Sequence, residues 1–439
     1  MNSRVTVKPA TLRTRLVDRI GPVAAISIAQ LFGTALWFSA NSTAADLMRV
    51  WHASAADIGW LTNAVQLGFI LGTLAISLSG AADRFRASRI FVCSAILGAL
   101  FNVGFAWLST GLASGAAFRF GGGICLAGIY PMGMKLIVGW APERTGPALA
   151  QLVAMLTLGT ALPHAMRVMG GGLPWQAIIS ASSVLALIGA GVIAALGDGP
   201  HTSHRPRTAH PAHAAASRPP SVLSAFRIRA FRAATLGYFG HMWELYTFWT
   251  VVPLLIVHTS LAARFPGIGV SGMAFAVIGA GAVGSLIGGI VSKHAGSAKA
   301  AVGALALSGT CAVIFALGWR VLPAGALVAL LIVWGASVIA DSPQFSALAA
   351  KACPPELVGS ALAIQNSIGF AITVVSIAAT TSLLGRFGLD ATWLMVPGPL
   401  LGLTAFALTS RPATGVQRTE TNDVGPPVPV DPDGSRAPR

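Results

Sequence analysis

Residues 57–86 read DIGWLTNAVQLGFILGTLAISLSGAADRFR: one acid, then 25 residues without a charge, then Asp83, Arg84 and Arg86 within four positions. A helix rises about 1.5 Å per residue, so such a run spans the roughly 30 Å hydrocarbon core of a bilayer. Five more runs of this kind precede or follow it closely, giving 21–43, 57–80, 89–109, 112–140, 147–169 and 174–196. After a polar break come 233–258, 270–292, 299–317, 323–349, 358–384 and 390–410. The composition agrees: 54% of residues are hydrophobic and only 10% charged, against about 25% charged in a soluble domain. The expected fold class is an all-α integral membrane protein of twelve transmembrane helices, with short links that make neighbours antiparallel.

A net charge of +15 would suggest a nucleic-acid partner if the basic residues were clustered without regard to the apolar runs. They are not. Of 29 Lys and Arg residues, 23 fall in segments on one side of the runs. Arg49, Arg167, Arg264, Arg320 and Arg386 fall on the other side, and Arg119 stands inside the fourth run. This positive-inside asymmetry places both termini in the cytoplasm and excludes nucleic acid as the reason for the charge. The residues before Ile20 are basic and polar, with no small-residue cleavage site after a short apolar run. The first run is therefore expected to remain as an uncleaved signal-anchor.

The expected organisation is a cytoplasmic tail at 1–20, a six-helix half at 21–196, a cytoplasmic linker at 197–232, a second half at 233–410 and a disordered cytoplasmic tail at 411–439. The linker holds His201, His204, His210 and His213 among Pro, Ala, Ser and Arg and reads as solvated chain, with Val222 to Arg229 as an amphipathic surface helix. Cys93, Cys125, Cys311 and Cys353 form no CxxC pair and read as small apolar residues, so no metal or cofactor is implied. Two nearly equal halves around a cytoplasmic linker suggest a parallel repeat, with a solute site between the halves near the midplane.

This layout, with the loop Ser79-Gly80-Ala81-Ala82-Asp83-Arg84-Phe85-Arg86, resembles the major facilitator superfamily. Asp83 and Arg84 match that family's loop between its second and third helices, where they imply a gating role, although Ser79 and Arg86 stand in place of its two glycines. The loop after the eighth run keeps Gly289 and Gly296 and puts Lys293 where the family has an acid. Arg119, Gly123, Pro131 and Gly139-Trp140-Ala141-Pro142-Glu143-Arg144 are similar to its fourth-helix motif, which implies that Arg119 faces the central cavity. The fifth run, Thr157-Leu158-Gly159-Thr160-Ala161-Leu162-Pro163-His164, lacks the Gly-Pro pattern of many family antiporters. Within the superfamily the chain is most similar to a bacterial branch, implying an inner-membrane location.

Ionisable groups deep in a bilayer cost at least about 2.5–3.5 kcal/mol, so those kept there are functional candidates. Glu244 lies three residues after His241, on one helical face, where an imidazole can share a proton with a carboxylate. The pair suits proton coupling, or a hydrogen-bonded strut. Trp334, Ser337, Asp341 and Gln344 share one stripe of the tenth run, facing a water-filled cavity or forming an interhelical clasp. Asp341 is also placed to pair with Arg119 across the halves as a gate. The first half offers Gln30, Thr34, Trp37 and Asn41 at helical spacing, Asn63 and Gln66 on the second run, and Thr160, His164 and Arg167 on the fifth. Trp37 also suits a plain interfacial aromatic, and Arg167 suits snorkelling to the outer surface.

Gly279-x-Gly281-x-x-Gly284 matches a dinucleotide fingerprint in letters. It lies inside an apolar run, however, and no acid occurs from Leu245 to Ala340 to hold a ribose, so it reads as a helix-packing face. No nucleophile–base pair, metal-ligand spacing or ATP-binding loop stands out, so the chain is not expected to be an enzyme and its driving force is expected to be a gradient. The expected function is a monomeric secondary transporter moving a small solute by alternating access. Arg119, Asn41, Trp37, Gln66, Gln30 and Gln344 would bind solute; Glu244, His241 and Asp341 would carry or gate a proton. The lone intramembrane arginine favours a small anion in symport. Trp37, Trp243, Trp249 and Phe345 favour an exporter of amphipathic compounds instead, and the polar linker and tail suit a non-transporting sensor on the same scaffold.

Overall fold

The computed structural model describes residues 17–201, 222–354 and 357–410. Among them, every regular element is helical. The first half comprises α1 (Pro22–Thr34), α2 (Ala55–Leu78), α3 (Ala87–Leu108), α4 (Leu112–Trp140), α5 (Thr145–Met169) and α6 (Trp175–Leu196). The second comprises α7 (Arg229–His258), α8 (Gly269–Ala295), α9 (Ser297–Gly318), α10 (Ala324–Ser337), α11 (Ser342–Ala352), α12 (Val358–Phe387) and α13 (Pro397–Ser410). Among the described residues nine stretches are long and apolar enough to cross a membrane, and one of them, Val358–Ser410, holds both α12 and α13. The broken first span and α7, which carries Arg229, Arg232, His241 and Glu244, complete an arrangement that fits twelve crossings. The protein is an all-α membrane protein of two helical halves.

The helices end where local chemistry stops them. Ser54 and Asp57 form a reciprocal cap on α2: the Asp57 amide donates to Ser54 Oγ at 3.2 Å and the Ser54 amide to Asp57 Oδ2 at 2.8 Å. Gly80 at φ +65° turns the chain into the short helix Ala81–Arg84, and Gly296 at φ +89° separates α8 from α9. These left-handed positions are open to glycine without steric cost. Lys135 of α4 donates to the Ala82 carbonyl and ties the first of these loops down. On the opposite face Arg320 grips Asp390 with two bonds of 2.9 and 2.7 Å, joining the α9–α10 link to the turn before α13.

With no hydrophobic force between helices inside lipid, close packing depends on small residues. A Cβ on Gly68 would fall 2.1 Å from the Phe120 carbonyl oxygen, and one on Gly123 2.1 Å from that of Val65, so α2 and α4 cross backbone to backbone. The rejected fingerprint glycines do the same work in α8. A Cβ on Gly284 would fall 1.7 Å from the Ala336 carbonyl oxygen of α10, and one on Gly281 within 2.9 Å of the Thr157 methyl of α5. The α8 helix is therefore a packing face between α5 and α10. The halves meet along α5 with α8 and along α2 with α12.

Residues 222–229 differ from the expected surface helix. Val222–Arg227 is a 3-10 turn, and Ala225 is buried with Phe231, Ala349 and Leu357, because the segment tucks under α7 rather than lying on the membrane. Residues 197–201 dock rather than dangle: the Trp140 indole donates to the Gly197 carbonyl at 3.1 Å, and the His201 amide to that of Gly139 at 3.1 Å. His204, His210, His213, residues 1–16 and residues 411–439 lie outside the described residues.

Candidate transport site

The first span is broken. After Thr34 the chain unwinds through residues 35–40 before a 3-10 turn at Asn41–Thr43 and the short helix Ala44–Val50. Irregular backbone inside a membrane needs protein partners for its polar groups. Arg119, on α4 and 4% exposed, supplies them. Its guanidinium donates to the Leu36 carbonyl at 2.9 Å, to the Trp37 carbonyl and to Ser39 Oγ at 3.1 Å. Ser39 donates onward to Asn102 at 2.7 Å, and Asn102 to Ser183 at 2.9 Å, binding α3 and α6 into the same network. Gln30, Thr34, Trp37 and Asn41 consequently do not form one helical stripe. Thr34 bonds back to the Gln30 carbonyl, Trp37 donates to Gln66 Oε1 at 3.2 Å, and Asn41 donates to Thr62 at 2.9 Å. Gln30 is buried against Gly133 of α4, with both amide atoms unpartnered.

The tenth span is broken too, between Ser337 and Ser342, so Trp334 and Asp341 lie on different helices rather than on one continuous stripe. Pro343, in the first turn of α11, has no amide hydrogen for the Ile339 carbonyl, which accounts for the interruption. His241 and Glu244 point to different partners on either side of it. His241 Nδ1 lies 2.7 Å from Asp341 Oδ1, both side chains fully enclosed. Glu244 accepts from the Trp334 indole at 2.7 Å and from Ser308 at 2.8 Å. The expected His241–Glu244 and Arg119–Asp341 pairs are thus replaced: helix breaks bring nearer partners to each group. Gln344 is buried in the first turn of α11. Arg167, expected to snorkel, is bonded to Asp46 at 2.7 Å and to the Leu173 carbonyl at 2.8 Å. Arg84 is exposed at the end of its loop helix, and the Asp83 side chain lies outside the described residues.

The Major Facilitator Superfamily profile matches residues 26–377. The chain belongs to the major facilitator superfamily. It is similar in fold to the structure of a bacterial homologue of the human lysosomal transporter Spinster in an inward-facing, unoccupied conformation, at 14% identity and TM-score 0.62, over 88% of this chain and 94% of that one. The human organic anion transporter MFSD10 (TETRAN) superposes at 16% identity and TM-score 0.62, over 88% and 98%. No curated protein matches the sequence. As a superfamily member this protein is a transporter and not an enzyme.

In this transporter the two halves meet through aromatic rings. Trp37, from the unwound first span, stacks on Tyr246 of α7 at 5.6 Å between ring centroids and on Phe370 of α12 at 5.9 Å. Phe69 of α2 approaches Phe370 at 4.4 Å, and Phe38 meets Trp249 edge-on at 5.9 Å. Each contact joins one half to the other. The sequence reading had singled out Trp37 and Trp249 but missed Phe370, Tyr246, Asn102 and Ser308. Apolar and small polar residues in apolar runs give no sign of which face they occupy. One sign is present: the chain has only three tyrosines, and two of them, Tyr238 and Tyr246, fall on α7.

Proposed function

We propose that this transporter is proton-coupled, with Glu244 and the His241–Asp341 pair taking up and releasing the proton as the two halves rock around a central solute site. The arrangement around Glu244 carries the reading. Its carboxyl group is fully buried and meets two neutral donors, Trp334 and Ser308. Ionised, it holds a charge that no salt bridge offsets among the described residues; protonated, it does not. A change in that charge must therefore be accommodated by α7, α9 and α10, all in the moving second half. One turn away, His241 of α7 faces Asp341, which lies in the break between α10 and α11, so a proton shared there bears on the least regular part of the tenth span.

Solute binding between the halves by Trp37, Gln66 and their neighbours is part of the same reading. Arg119 lends a small anion little support, because its guanidinium is already bonded to the first span's carbonyls. The charge distribution supports a bacterial inner-membrane protein with both termini cytoplasmic, and Asp83 and Arg84 then belong to a cytoplasmic gating loop. One chain supplies both halves, so a monomer suffices. The test is proton movement in liposomes containing the purified transporter, on adding pools of candidate solutes, with Glu244→Gln and Asp341→Asn beside the wild type. A solute-dependent proton signal lost in either variant is the expected result. Solute counterflow in the wild type with no proton signal would overturn the coupling.

A further inference from the structure

Alternating access requires the faces that join the halves to part, and whatever lines those faces then meets the solute. Here the joining contacts are ring on ring. Trp37 lies nearly parallel to both Tyr246 and Phe370, at interplanar angles of 28° and 20°. Separating the halves exposes flat apolar surfaces on both sides, and another flat ring is what replaces those contacts at least cost. The polar groups around the stack include several that can donate, beside one unpartnered acceptor, Asn63 Oδ1. Gln66 and Gln365 each use their carbonyl oxygen, for Trp37 and Thr235 respectively, leaving two buried amide nitrogens unpartnered. The hydroxyls of Tyr130, Tyr238 and Tyr246 have no hydrogen-bond partner among the described residues. Gly369 keeps Tyr238 close, since a Cβ there would fall 2.7 Å from its ring. Arg119, the buried cation of the first half, already donates to the backbone carbonyls of Leu36 and Trp37.

We infer that the solute is a planar aromatic compound bearing hydrogen-bond acceptors such as carbonyl oxygens, stacked between Trp37 and the Tyr246–Phe370 face, and that it needs no anionic group. This rests on the reading of the interface as the transport site, but not on proton coupling.

The test is equilibrium binding without a proton gradient, using quercetin as the planar, carbonyl-bearing probe and succinate as the small anion. Purified transporter in lipid nanodiscs is titrated and tryptophan quenching followed, with empty nanodiscs as the reference for partition into lipid. Saturable binding is expected, weakened about tenfold by Trp37→Ala and about threefold by Tyr246→Phe, and unaffected by succinate. Tyr238→Phe and Tyr246→Phe keep the rings, so a folded protein remains for the comparison even where Trp37→Ala fails to fold. Quercetin binding equal in wild type and both Tyr→Phe variants, non-saturable signal, or displacement by succinate would overturn the inference. The two proposals fail separately. Binding retained in Glu244→Gln with the proton signal lost in that variant supports both, whereas proton flux driven by a solute that ignores the Tyr→Phe changes removes the aromatic site and leaves coupling intact.

Discussion

A guanidinium carries five N–H donors in a rigid fork, and inside a bilayer each needs an acceptor. Arg119 meets three, on Leu36, Trp37 and Ser39, all within four residues of chain, and leaves its Nε buried without a partner. Lysine has the same charge but a single point of donation, which cannot bridge carbonyls that face different directions. Arg119→Lys should therefore lower stability by about 1.5–3 kcal/mol, the worth of a lost charge-assisted bond, read as a reduced melting temperature in detergent. An unchanged melting temperature would mean that the unwound carbonyls do not depend on the fork. At this scale the sequence shows which groups are unusual and not what they touch. Arg119, Glu244, His241 and Asp341 are conspicuous as polar residues in apolar runs, but their partners depend on two helix breaks. A partner assigned from helical periodicity alone goes to the wrong residue, as it does for His241 with Glu244.

Helix lengths and order follow from the apolar runs because a bilayer dictates both the length of a span and the pairing of its backbone groups. The breaks are less legible, for two different reasons. Pro343 was a visible signal for the interruption of the tenth span. Residues 35–40, Ala-Leu-Trp-Phe-Ser-Ala, contain neither Pro nor Gly, and the side chain that takes two of their carbonyls, Arg119, comes from another helix. The glycines of α8 are legible in kind, as a packing face, and their partners follow from the fold. Gly284 sits under the Ala336 carbonyl, where an added methyl has no room, while Gly303 on α9 has nothing within 4 Å. Gly284→Ala is expected to cost about 1–3 kcal/mol by overpacking, and Gly303→Ala to be neutral or to stabilise by up to about 1 kcal/mol. Thermal unfolding of both variants in detergent checks the contrast. Equal melting temperatures would show that α8 and α10 are not held at this separation.

The whole molecule poses the question of how the halves part. They touch at both ends of α5 and α8: a Cβ on Gly289 would lie 3.4 Å from Ala150 Cβ near the basic loops, and one on Gly272 3.7 Å from Val168 at the far end. Between those ends, the rings of Phe69 and Phe370 meet at 4.4 Å. Rocking must open one end while keeping the other closed, so a covalent link at either end removes one of the two accesses. Ala150 and Gly289 suit such a link, because disulfide-bonded residues have Cβ atoms about 3.5–4.5 Å apart and a shift of a few tenths of an ångström suffices. The native cysteines need little adjustment: Cys125, Cys311 and Cys353 are buried, and the exposed Cys93 can be replaced by serine. Oxidation of the Ala150→Cys/Gly289→Cys pair should abolish solute counterflow, and a reductant should restore it. Each single cysteine variant should be indifferent to both treatments. Substrate-protected cross-linking would add the side from which the solute enters, since solute held between the halves changes how often this end closes. Full counterflow in the oxidised double variant, with the cross-link verified by mass, would mean that the basic end of α5 and α8 stays together throughout the cycle and that the moving parts lie elsewhere.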